Sequence, residues 1–470
     1  MFLGLERHSA SSPAAFDENG RELTYGQLRA AAAEAAAALP RRSLVFAFCE
    51  NSFGALIGYV SFLTYGAVPL LLDRHLNPAL ARRLIETYRP AALWLPGDMP
   101  APVEGPLLAE AAGYRLTATG LPPFPLHNDL ALLITTSGST GSPKLVRQSL
   151  KNLESNAAAI VRYLELNPAE RPVTSLPMNY VYGLSVVNSH LAAGAALLLT
   201  NRSLMQKEFW TFFREGGATS IAGVPYTYEM LKKLRFFRMN LPSLRTMTQA
   251  GGKLQPELHL EFARYAADSG RRFVVMYGAA EATARMGYLP PDKAVEKCGS
   301  MGLAIDGGRF SLIDEAGREI SEAGLTGELV YYGDNVTLGY AERGEDLIKG
   351  DERRGRLETG DLARRDEDGF YYVTGRKKRF LKLFGNRVGL DETESLIKSR
   401  FPGLECACAG RDDLMYIFVA DQTVAGEITA FVAETLRINQ AAFRLKPLAC
   451  LPKNESGKTL YAALEDYYDQ

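Results

Sequence analysis

The pattern of apolar and polar residues predicts an α/β fold. A large N-terminal domain carries mixed sheets and a β-barrel-like section, and a small α+β domain follows it. Three observations predict this. Strand-like apolar runs recur with helical stretches between most of them, the texture of a substantially parallel sheet. After about Gly299 the runs become short and bounded by glycine, as in GELVYYG (327–333) and GFYYVTG (369–375). Near the end the alternation returns on a smaller scale, with MYIFVA (415–420) as a strand and residues 426–436 as a helix.

Taken in order, the expected strands are LVFAFC (44–49), AVPLLL (67–72), AALWLP (91–96), LALLITT (130–136), TSLPM (174–178), AALLLT (195–200), SIAGVP (220–225) and FVVMY (273–277). Helices are expected over 31–39, where alanine dominates, and over 208–215. Residues 52–72 carry no charge and are as long as the ~20 residues of a membrane span. Gly66 and Pro69 interrupt that stretch, so a buried helix over 53–64, a turn and a strand over 68–72 fit it better. A domain boundary is expected in the basic cluster 376–379, giving domains 1–377 and 378–470.

Composition narrows the function. The 53 Lys and Arg nearly balance the 54 Asp and Glu, which favours neither nucleic acid nor an anionic membrane surface as partner. The 5 cysteines are few and odd in number, as in reduced cytoplasmic proteins rather than disulfide scaffolds. The N-terminal stretch shows no secretory signal. Cys406 and Cys408 lie two apart without further ligands, which reads as a buried structural pair rather than zinc. The 5 histidines are scattered without nucleophile context, so a hydrolase triad has no support.

The chemistry-bearing segment is residues 135–144, TTSGSTGSPK, directly after the strand LALLI. Thr136, Ser137, Ser139 and Thr140 offer hydroxyls, Gly138 and Gly141 allow close backbone approach, and Lys144 adds a charge. Those are the groups that cradle phosphate. A Ser/Gly surface loop would share this composition. Pro143 before the lysine and Leu145 after it exclude the G-x-x-x-x-G-K-[ST] phosphate loop.

This segment resembles the phosphate-binding motif of the adenylate-forming superfamily: acyl- and aryl-CoA synthetases, peptide-synthetase adenylation domains and luciferases. Further segments agree in order. YGAAE (277–281) is similar to the family's tyrosine–glycine–x–threonine–glutamate element, and Gly339-Tyr340 to its next landmark. ETGD (358–361) resembles the ribose-binding aspartate motif, residues 375–388 the interdomain hinge, and PKNESGK (452–458) the C-terminal lysine loop. Upstream, LTYGQL (23–28) and YGAVP (65–69) fit the N-terminal landmarks.

The resemblance implies an ATP- and Mg2+-dependent ligase that makes an acyl-adenylate from a small carboxylic acid. The acyl group then passes to a thiol, of CoA or of a carrier protein's pantetheine. It implies that the loop 136–144 holds the β- and γ-phosphates and that Glu281 holds Mg2+. Gly251, Gly252 and Tyr277, with Gly278 and Ala279, would frame the adenine. Asp361 would accept from the ribose, Arg376 would help hold the nucleotide, and Lys458 would reach the carboxylate and α-phosphate. Lys378 falls at the hinge on which the small, mobile domain rotates between half-reactions. Lys377 and Arg379 read as solubilising charge.

Two departures stand out. Ala280 replaces the family's threonine, so a hydroxyl near the α-phosphate is missing. Gly183 takes the position where amino-acid activators carry aspartate, and Tyr180 the position of an acyl-CoA synthetase histidine. Tyr180, Tyr182, Gly183 and Tyr226 are candidate lining of the acid pocket, and the stretch 181–188 has no carboxylate. Uncharged acyl or aryl acids, with or without hydroxyls, are therefore expected over amino acids, since a buried α-ammonium needs a counter-charge. Two alternatives stay open: an adenylation domain loading a carrier protein, with an acyl group or an amino acid, and a nucleotide-binding paralogue with little catalysis.

Overall fold

The computed structural model describes residues 1–135, 144–377, 379–384, 386–420, 425–453, 457 and 459–468. The chain packs as two units, Met1–Arg309 with Tyr331–Leu357, and Phe310–Val330 with Glu358–Gln470. These units do not coincide with the 377/378 division, which concerns a hinge at Lys378, outside the described residues.

The first unit is built on an eight-stranded sheet. Its order is Gly339–Ala341, Leu145–Gln148, Leu132–Thr135, Val68–Asp73, Leu44–Cys49, Ala92–Pro96, Tyr114–Ala118 and Leu107–Ala111. The four strands from Leu132–Thr135 to Ala92–Pro96 pair in parallel, and the flanking strands run antiparallel. Along Leu44–Cys49, Val45, Ala47 and Cys49 enter one core while Leu44, Phe46 and Phe48 enter another. Burial of both faces is why the run is apolar without alternation. The charge-free stretch resolves as expected, into helix Phe53–Tyr65, Gly66 at φ +82° and strand Val68–Asp73. Ten residues of that helix are buried. Trp94 packs where a Cβ on Gly58 would stand, 2.3 Å from the indole nitrogen. No helix among the described residues is long and apolar enough to cross a membrane.

A second sheet begins with three parallel strands, Ser220–Gly223, Thr246–Gln249 and Arg272–Tyr277, and continues antiparallel through Gly287–Tyr288 and Leu303–Ala304. Two expected strands change. TSLPM forms no strand: Val173 makes an isolated bridge to Leu198, and Pro177 has no N–H to extend a ladder. AALLLT shortens to Leu197–Leu198, paired with Ala15 and Phe16.

The second unit holds most of a four-stranded sheet, in the order Gly308–Ile313, Thr326–Gly333, Arg356–Arg365, Tyr371–Arg376. Beyond it lie the hairpin of Phe380–Leu383 with Asn386–Gly389 and a three-stranded sheet, Cys406–Arg411, Leu414–Val419 and Phe443–Pro447, with helices Leu390–Arg400 and Ala425–Leu436. Cys406 and Cys408 are both buried in its core.

The solubilising reading is corrected here for Arg379, whereas Lys377 is exposed as expected. Lys377 pairs with Glu328 at 2.5 Å. Arg379 is largely buried, pairs with Asp391 and with Glu394 (2.9 Å), donates to the Cys408 carbonyl (2.7 Å) and lies 3.5 Å from the Tyr461 ring centre. Tyr461 donates to Glu394 (3.0 Å), closing the network. Arg379→Met should therefore destabilise the protein by roughly 3 kcal/mol, because two carboxylates lose their cation. Urea unfolding measures this, and a loss under about 1 kcal/mol, the scale of an exposed pair, would mean that the network is peripheral.

Candidate active site

Strand Arg272–Tyr277 ends in a tight reversal. A Cβ on Gly278 would stand 1.6 Å from the Ala284 carbonyl oxygen, so only glycine fits there. The Ala279 carbonyl accepts from the N–H groups of Ala282 (3.0 Å) and Ala284 (3.2 Å). Thr283 and Ala284 then take φ +53° and +89°, left-handed values that cost non-glycine residues roughly 1–3 kcal/mol each. Side chains hold this strain in place. Asn335, buried, donates to the carbonyls of Ala282 (2.8 Å) and Arg285 (2.9 Å), and Tyr331 donates to its Oδ1 (2.9 Å). Asn156 donates to the Arg285 carbonyl (2.7 Å), and Thr283 Oγ1 to the Asn335 carbonyl (2.8 Å).

The reversal delivers Glu281. Its Oε1 accepts from the Tyr340 hydroxyl at 2.6 Å. Burial and the hydrogen bond to Glu281 push the Tyr340 phenol up to about 12, so it stays a donor at neutral pH. Two cations lie close by. Arg353 sits 4.7 Å from the Tyr340 ring centre and donates to the Glu281 carbonyl (3.0 Å). Lys144 Nζ lies 5.4 Å from the same ring and 2.8 Å from Glu342.

Arg147 fixes the strand that carries Tyr340. Fully buried, it donates to the carbonyls of Tyr340 (3.0 Å), Leu338 (3.2 Å), Lys349 and Gly350 (3.2 Å), and pairs with Glu352 at 2.5 Å. Two carboxylates, Glu281 and Glu342, one phenol and two cations thus lie close to Lys144. Such a group suits phosphate oxygens and a hard cation.

The other expected residues fall in three places. Gly251 takes φ +85°, and a Cβ there would stand 2.8 Å from the Tyr180 hydroxyl. Gly252 accepts from Gln249 at 2.8 Å. Tyr182 is buried, shares a 2.9 Å hydrogen bond with Thr248 and lies 6.4 Å from Tyr180 between ring centres. Tyr180, Tyr182 and Gly251 therefore meet at one end of the second sheet, while Tyr226 is 47% exposed. Gly183 does not leave room for substrate: a Cβ there would stand 2.2 Å from the Pro177 carbonyl oxygen, so its absent side chain serves backbone packing. Ala280 is half-buried against the core, and its carbonyl accepts from Gln148 at 3.4 Å.

In the second unit, Asp361 and Arg376 face each other across an antiparallel pair and form an ion pair at 2.7 Å. Thr136, Ser137, Gly138, Ser139, Thr140, Gly141, Lys378 and Lys458 lie outside the described residues. Beside Lys458, Gly457 takes φ +74°, and Lys453 bridges to Thr459.

Sequence reasoning missed Arg353, Asn335 and Arg285. Arg285 alone carried a visible signal, a cation in the otherwise apolar run ATARMGYL after Glu281.

Comparison with known proteins gives the family and the fold. The AMP-binding enzyme family matches residues 5–341. A sulfoacetate–CoA ligase of Cupriavidus necator is 31% identical over 379 residues, covering 79% of this chain and 70% of the relative. A 2-succinylbenzoate–CoA ligase of Bacillus subtilis is 28% identical over 344 residues, covering 72% and 68%. Among solved structures, the O-succinylbenzoate coenzyme A synthetase of Bacillus subtilis with ATP and magnesium superposes with a TM-score of 0.78 at 22% identity, covering 99% of each chain. ATP-bound MatB from Rhodopseudomonas palustris gives 0.80 at 22% identity, covering 100% of this chain and 98% of that one. The fold is that of these enzymes. The chain belongs to the AMP-binding enzyme family of the adenylate-forming superfamily, whose members use ATP to activate a carboxylic acid as its adenylate.

Proposed function

We propose that this enzyme joins a small carboxylic acid to CoA in two steps. A carboxylate oxygen attacks the α-phosphorus of ATP, the bond to pyrophosphate breaks, and acyl-AMP forms. The CoA sulfur, having lost its proton, then attacks the acyl carbon, and AMP leaves. The observation that carries the reading is the Glu281–Tyr340 pair with Lys144 and Arg353 around it. CoA is favoured over a carrier protein because the similar relatives are named as CoA ligases. A cytoplasmic location belongs to the same reading, since the reaction consumes ATP and CoA.

Mg2+ fits this site. The ion keeps several waters and needs only one or two carboxylates beside phosphate oxygens. Glu281 supplies one carboxylate, with Oε1 tied to Tyr340 and Oε2 without a partner among the described residues. Bound there, the ion would offset phosphate charge. Tyr340 orients the carboxylate, and Arg353 and Lys144 add fixed positive charge for the polyphosphate. In this reading the loop 136–144 cradles that polyphosphate, and Gly251, Gly252, Tyr277, Gly278 and Ala279 border the adenine. Asp361 accepts from the ribose and is held by Arg376. Lys458 approaches the reacting carboxylate and α-phosphate, where preorganised charge lowers the barrier most. Lys378 is the proposed hinge between the domains 1–377 and 378–470.

Two variants test the assignment. Lys458→Ala should slow acid-dependent pyrophosphate exchange into ATP by at least ~100-fold. Thioester formation from preformed acyl-AMP should change far less. Equal losses in both half-reactions would contradict the role. Tyr340→Phe should lower kcat/KM for MgATP roughly tenfold, because a hydrogen bond to a charged acceptor is lost. Steady-state kinetics should show the acid KM unchanged, and an unaltered MgATP dependence would remove Tyr340 from the site.

A further inference from the structure

Arg285 is a buried cation without a counter-charge. The residue is 2% exposed and makes no ion pair with any described carboxylate. Nε donates to Ser185 Oγ at 3.0 Å, and Nη1 faces the Tyr163 hydroxyl at 2.9 Å and the Met276 sulfur at 2.7 Å. The guanidinium carbon lies 4.9 Å from the centre of the Tyr182 ring. Every one of these partners is neutral. The hydrogen bonds of the guanidinium to described residues run through Nε and Nη1, not Nη2.

Neutral partners offset only part of the cost of burying this charge. A guanidinium does not deprotonate in a protein, and burying a charge unpaired is strongly unfavourable. A well-packed apolar side chain of similar volume would be as stable or more so. The strained Ala284, at φ +89°, and the hydrogen bonds of Asn156 and Asn335 to the Arg285 carbonyl hold the residue where it is. Its ring neighbour Tyr182 leads to Tyr180 and Gly251, the residues assigned above to the acid pocket and the adenine border. The Nη2 arm of the fork is the group that a ligand oxygen would engage.

We propose that the acid activated here carries a second anionic group, a carboxylate or sulfonate, at the end remote from the reacting carboxylate, and that Arg285 binds it. This rests on the acid-activation reading and replaces the expectation of an uncharged acid with that of a doubly anionic one. Amino acids are disfavoured further, since an α-ammonium would approach a cation in a pocket stretch that offers no carboxylate.

The test is pyrophosphate exchange over two matched series from three to eight carbons, dicarboxylic acids against monocarboxylic acids, with 3-sulfopropionate beside succinate and butyrate. In the wild type the best dianion should exceed its monoacid in kcat/KM by at least ~30-fold, the scale of losing a charged hydrogen bond. The rank of succinate and 3-sulfopropionate separates carboxylate from sulfonate. Arg285→Met should remove the preference while retaining exchange with monoacids, and Arg285→Lys should keep part of it. A merely structural arginine would lower both series together and leave their ratio unchanged, which overturns the proposal. So does a wild type that prefers monoacids, although acid activation itself then stands. Absence of both MgATP binding by calorimetry and exchange with any acid would overturn the activation reading, and this proposal with it.

Discussion

Between Ala279 and Arg285 the chain reverses through two successive left-handed residues, neither of them glycine. That reversal is the constraint on which the site depends. It sends Glu281 to the edge strand that carries Tyr340, and Arg285 to the helices that carry Tyr163 and Ser185. Strain of this kind persists only where surrounding structure over-determines it. Here Asn335 supplies two hydrogen bonds and Asn156 a third, each worth about 1 kcal/mol net, against a similar cost in the backbone. In the proposed reading, acid recognition and nucleotide recognition are joined through this one short segment.

Two buried arginines separate architecture from chemistry. Arg147 spends its donors on four backbone carbonyls and Glu352, and in doing so fixes the segment that holds Tyr340. Its charge is compensated and its task is positional. Among the described residues, Arg285 faces hydroxyls, a thioether and an aromatic ring. Similar burial with opposite compensation is the physical ground for treating one as scaffold and the other as a ligand-binding group.

Much of the fold was legible because the central strands are buried on both faces and read as unbroken apolar runs. The stretch that imitates a membrane span resolved for the same reason, with Gly66 marking the turn. TSLPM misled because apolar composition does not reveal that Pro177 stops a ladder. The family was legible from local strings, since glycine and hydroxyl spacing is a local property. Arg353, Asn335 and Arg379 were not, because their roles arise from partners far along the chain. Gly183 shows the same limit: the sequence reveals a missing side chain, and only the Pro177 carbonyl at 2.2 Å from its Cβ position explains it.

The mechanical coupling is most directly tested on Asn335, which touches neither Glu281 nor the Arg285 guanidinium. Asn335→Ala should weaken MgATP binding by calorimetry and also flatten the discrimination between dianionic and monoanionic acids in pyrophosphate exchange. Both effects should appear at a temperature well below the variant's unfolding midpoint. If only one property changed, or neither did, the reversal would not be the element that joins the two halves of the site.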